Sequence, residues 1–109
     1  NTSAVTDMGY MFYVTSSFNQ DLSRWNTSSV TTMHGMFEGA SSFDGSISSW
    51  TTYAATDMSF MFHEASSFNH EDLSCWDTSA VTTMQSMFSD ASFFDGNISS
   101  WNTSAVTDM

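Results

Sequence analysis

The sequence contains no proline, one cysteine (Cys75) and one basic residue (Arg24) among 109 residues. Each scarcity excludes something. Without proline the chain is no polyproline stalk, and a lone cysteine has no partner for an intrachain disulfide. One base against 12 acids, a net charge of −11, leaves no basic footprint for nucleic acid and repels an anionic membrane surface. No apolar run approaches the roughly 20 residues of a membrane span, and no basic n-region with an apolar h-region opens the chain, so neither membrane insertion nor a secretion signal is expected. What is present is 40% apolar and 16% aromatic residues, the composition of a packed core and not of a disordered acidic tail.

Self-similarity organises the rest. Tryptophan recurs at Trp25, Trp50, Trp76 and Trp101, and the other apolar positions keep the same interval. Four repeats follow, 1–25, 26–50, 51–76 and 77–101, with a partial fifth at 102–109 and one extra residue near His70 and Glu71. Methionine columns hold Met8, Met33, Met58, Met84 and Met11, Met36, Met61, Met87. Phenylalanine columns hold Phe12, Phe37, Phe62, Phe88 and Phe18, Phe43, Phe68, Phe94, while Leu22, Ile47, Leu73 and Ile98 precede the tryptophans. With Val5 these are the expected core. A single repeat has too few such residues to offset its ordering entropy, so neighbours must share burial.

Within a repeat, Met8, Met11, Phe12 and Thr15 stand at i, i+3, i+4 and i+7, which predicts a short helix. The β-branched and aromatic stretches SAVTDM and DLSRW predict brief strands pairing in parallel with the next repeat. The expected fold is therefore a solenoid with short parallel β-strands and a short helix per repeat. Odd and even repeats also alternate: Tyr10 and Phe60 share a column with Gly35 and Ser86. Tyr10, Tyr53 and Phe60 are the candidate contact face, against the plainer reading of local packing. Residues 102–109 repeat residues 1–8 without change, so the chain reads as a window on a longer array or as the unit of an end-to-end fibre.

The string W-[ND]-T-S-x-V-T-x-M-x-x-M-F-x-x-A-S-S-F-[ND]-x-x-[LI]-S-x-W, which runs through the whole chain, resembles the 25 to 26-residue bacterial surface protein repeat of the mycoplasma lipoprotein-associated type. That group is similar to the BspA-like leucine-rich repeats. The resemblance implies a right-handed leucine-rich-repeat-like coil on a cell-surface or secreted protein, often adhesive, and no enzymatic activity.

Candidate sites are few. Asn1, Asn26, Asn97 and Asn102 each begin an Asn-x-Ser motif and are candidate glycosylation sites, although the shared column also accepts Thr51 and Asp77, which can cap a turn but carry no N-glycan. Asp21, Asp44, Asp72 and Asp95 recur beside turns and are weak Ca²⁺ candidates, without the loop that calcium sites use. The methionine pairs fit core filling better than a Cu(I) site. His34, His63 and His70 make no ligand spacing, and Cys75 has no catalytic partner in sequence. The threonine columns beginning at Thr2 and Thr6 suit turn hydrogen bonding and strand stacking more than ice recognition. No cofactor and no catalysis are expected. The expectation is an extracellular or cell-surface structural module whose partners are identical copies or further repeats, with glycans as attached groups; the alternative is adhesion to a host protein or glycan through the aromatic face.

Overall fold

Asn, Asp, Ser and Gly punctuate every repeat, and the backbone answers with turns. The computed structural model describes residues 2–69 and 72–109; the Asn1 motif and the extra residue near His70 and Glu71 lie outside them. In the second repeat, turns occupy 28–29, 34–39, 41–42 and 48–49. They close through N–H groups that reach back three residues: Val30 to Thr27, Met36 to Met33, Glu38 to Gly35, Ala40 to Phe37, Phe43 to Ala40 and Trp50 to Ile47, all at 3.0–3.1 Å.

The expected helix over the Met8 to Thr15 stripe does not form, and the reason is conformational. Two columns are left-handed: Tyr10, Gly35, Phe60 and Ser86 have φ of 56°, 58°, 57° and 53°, and Val14, Gly39, Glu64 and Asp90 have φ of 53°, 69°, 57° and 59°. An α-helix needs φ near −63° throughout and N–H groups bonded four residues back. Here alternate N–H groups leave the repeat altogether. Tyr10, Phe12 and Val14 donate to the carbonyls of His34, Met36 and Glu38 at 2.9, 2.9 and 2.7 Å. Gly35, Phe37 and Gly39 donate in the same way to Ser59, Met61 and His63, and Phe60, Phe62 and Glu64 to Gln85, Met87 and Ser89, at 2.8–2.9 Å.

The expected strands reduce to single residues. Parallel bridges join Asp7 to Thr32, Thr32 to Asp57, Asp57 to Thr83 and Thr83 to Asp108, and turns on both sides prevent extension. Among the described residues there is no helix, no strand and no sheet. The leucine-rich-repeat-like solenoid with a strand and a helix in every repeat is thereby corrected: the chain makes a compact body of 32 × 30 × 21 Å, with a radius of gyration of 12.5 Å, built from layered turns.

Layering arranges the core. Phe12, Phe37, Phe62 and Phe88 stack at centroid spacings of 5.4–5.7 Å, and each lies against the phenylalanine six residues on, at 4.1–4.3 Å. Trp25, Trp50, Trp76 and Trp101 stand in file at 6.2–6.4 Å with planes within 8° of parallel. Indole N–H groups of Trp50, Trp76 and Trp101 donate to the carbonyls of Leu22, Ile47 and Leu73 in the layer before.

Of the expected core, Met8, Leu22, Met33, Met36, Phe37, Phe43, Ile47, Trp50, Met58, Met61, Phe62, Phe68, Leu73, Trp76, Met84 and Met87 are buried. Val5, Phe12, Phe18, Trp25, Phe88, Phe94 and Trp101 are partly buried against them. Met11 and Ile98 are exposed, because they belong to the outer layers and nothing covers their far side. Polar groups inside are matched: buried Thr27, Thr52 and Thr78 donate to the carbonyls of Thr51, Asp77 and Asn102 at 2.9–3.1 Å. No helix among the described residues is long and apolar enough to cross a membrane.

Candidate functional site

The left-handed columns turn their side chains away from the core, and one face of the molecule collects them. Tyr10 is half exposed and edge-on to Tyr13, with ring centroids 5.5 Å apart. Its ring covers Gly35, where an added Cβ would come within 2.6 Å of Tyr10 Cε1. The alternation of large and small residues along this column therefore has a local packing cause.

A hydrogen-bonded chain runs across three layers here. The Asp57 carboxylate accepts from the Ser59 hydroxyl at 2.5 Å, and Ser59 Oγ lies 2.6 Å from His34 Nδ1. With the Ser59 proton committed to Asp57, Nδ1 donates to Ser59, and His34 Nε2 accepts from the Tyr10 hydroxyl at 2.6 Å. Asp57 Oδ2 is also 3.5 Å from Nδ1. The chain ties three layers together at a partly exposed surface.

Phe60 links this chain to a second cluster. Its ring centroid is 5.7 Å from that of His34 and 5.7 Å from that of His63. His63 Nδ1 is 3.1 Å from the Ser89 carbonyl, and Nε2 is 3.9 Å from Glu64 Oε1. His63, Glu64 and Asp90 bring one ligand atom each within 4.8 Å of one another. Reading the sequence for ligand spacing misses this group, because Asp90 lies 27 positions from His63 in the chain. The signal that finds it is the repeat alignment, which puts Glu64 and Asp90 in one column.

The three candidate contact residues occupy two kinds of turn. Tyr10 and Phe60 are connected through His34, whereas Tyr53 lies on a different turn and lines an open groove of about 620 Å³ with Trp50, Thr52, Asp72, Cys75 and Asp77. Cys75 is exposed there as a free thiol.

The four calcium candidates are also dispersed. Asp21 and Asp72 accept the N–H groups of Ser23 and Ser74 at 2.9 Å, closing their own turns. Asp44 accepts the Asn69 N–H at 3.0 Å, and Asp95 is a further exposed member of that column. Hydrogen bonds from Ser23 hold the Asp21 carboxyl below the usual carboxylate value, with Arg24 adding to the effect. Bonds from the side chain and backbone of Ser74 and Ser79 do the same for Asp72 and Asp77.

Asn26, Asn97 and Asn102 are exposed, and each accepts the N–H of the serine two residues on at 3.0 Å. Asp77 makes the same turn with Ser79 at 2.9 Å. The Asn-x-Ser motif is thus a turn motif in this fold whether or not sugar is attached.

A family profile described as Mycoplasma protein of unknown function, DUF285, matches residues 1–72 and again 56–109. The chain belongs to this family. Two overlapping matches in one short chain agree with the mycoplasma-type repeat read from the columns. No curated protein and no solved structure matches the chain.

Proposed function

We propose that the chain is a structural module of an extracellular or cell-surface array, in which further layers of the same kind, in the same chain or in identical copies, continue the pile. The observation that carries this reading is the constant register of the interlayer bonds. Each of the first three layers gives the N–H groups of alternate residues to the layer after it, and Thr31, Thr56 and Thr82 each return one N–H to the layer before, so the same two-way pattern recurs at every junction between them. Residues 102–109, identical to 1–8, sit on the fourth repeat in the register that the second repeat takes on the first: Thr107 donates to the Thr82 carbonyl and Met84 to that of Asp108, both at 2.8 Å. The surrounding chemistry supports a binding or structural role over catalysis, since the acids are spread along turns and close no cleft.

Kinship with the BspA-like group is proposed at the level of sequence columns alone, because the backbone lacks the strand and helix of a leucine-rich repeat. Exposed Asn26, Asn97 and Asn102 support glycan attachment in a source that glycosylates secreted proteins.

A chain carrying residues 1–101 twice in tandem tests the array. Four added layers at a spacing of about 4.8 Å lengthen one dimension by about 19 Å with no change in cross-section, as read by small-angle X-ray scattering. Two independently tumbling bodies would defeat the proposal.

A further inference from the structure

We infer that His63, Glu64 and Asp90 form a site for a divalent cation of the Zn²⁺ class, bound through one imidazole nitrogen and two carboxylates. This inference is independent of the array reading.

The first observation is convergence. Glu64 and Asp90 occupy one left-handed column, one layer apart, where the first two repeats carry Val14 and Gly39. Two like charges are thus stacked on neighbouring layers in a chain that already carries −11, an arrangement that a cation between them relieves.

The second observation is the orientation of the imidazole, and it comes from a group outside the three. The Ser89 carbonyl can only accept, so the 3.1 Å contact places the proton of His63 on Nδ1. Nε2, the nitrogen left without a proton, lies 3.9 Å from Glu64 Oε1. A histidine anchored through one ring nitrogen to a backbone carbonyl, with the other facing further ligands, is the usual posture of a metal-bound imidazole.

Donor chemistry selects the ion. One nitrogen and two carboxylates without a thiolate suit Zn²⁺ and its neighbours, whereas Ca²⁺ asks for six to eight oxygens. Tetrahedral bonds of about 2.0 Å set ligand atoms about 3.3 Å apart. The present separations of up to 4.8 Å close when the carboxylates of Glu64 and Asp90, both on exposed residues, change rotamer. Solvent completes the shell, leaving the ion accessible.

Titration calorimetry of the 109-residue chain with Zn²⁺ at neutral pH tests the site, with Co²⁺ absorption as a second readout. The expected result is one Zn²⁺ per chain above the diffuse background, weakened at least tenfold by His63→Ala and several-fold by Glu64→Gln or Asp90→Asn. His34→Ala leaves it unchanged, and a tenfold excess of Ca²⁺ does not displace it. The site is overturned if His63→Ala titrates like the parent, if His34→Ala removes the binding, or if Ca²⁺ competes equally. Other repeats hold Tyr13, Glu38 and Ser89 at the His63 position, so the layer tolerates replacement there. Should the near-UV signal of the stacked tryptophans be lost in His63→Ala, Asp90→Asn decides in its place.

Discussion

Left-handed backbone at bulky residues is the feature on which single positions turn. Val14 holds φ of 53° with its side chain mostly in solvent, and a β-branched residue in that region carries strain of order 1–3 kcal/mol. The second repeat solves the same position with Gly39. Val14→Gly removes the strain and gives back part of it as added freedom in the unfolded chain. The expected outcome is a gain of about 1 kcal/mol in urea unfolding, against the ordinary expectation that glycine destabilises. The reverse case is Gly45, where any Cβ would run into the carbonyl of Gln20 in the preceding layer.

Turns and layers mark where reading the chain succeeded and where it failed. The columns of Phe, Trp and Met were legible because side-chain spacing along the chain survives any change of backbone. The local conformation was not: Met8, Met11, Phe12 and Thr15 satisfy a helical stripe, yet two left-handed residues in the same stretch fold it into consecutive turns. A clue was available in Gly35 and Gly39, four apart in positions where φ is positive. The same alignment exposes the Glu64 and Asp90 pair. Threonine carries many of the polar side-chain contacts between layers. Thr52→Val keeps the shape of a buried residue but loses its bond to the Asp77 carbonyl. Chemical denaturation should register a loss of about 0.5–1.5 kcal/mol, the net worth of the lost hydrogen bond to an exposed residue's carbonyl.

The whole molecule answers to pH through the same turns. Asp21, Asp72 and Asp77 have carboxyls held below their ordinary value of about 3.9, so the stability they contribute is fully present above that value and is lost as pH falls through their lowered folded values. Relief of the −11 net charge acts in the opposite direction as the acids are protonated. A comparison with Asp77→Asn separates the two effects. Asn26 and Asn102 already make this turn, so the variant should melt close to the parent at pH 7 and fall less steeply below about pH 4, in thermal scans followed by circular dichroism. Equal slopes would remove the role assigned to Asp77.

Because the backbone bonds join each layer to its immediate neighbours, traction along the pile loads successive joints in series. In the proposed array, an assembly of any length would then part at the force that breaks its weakest joint.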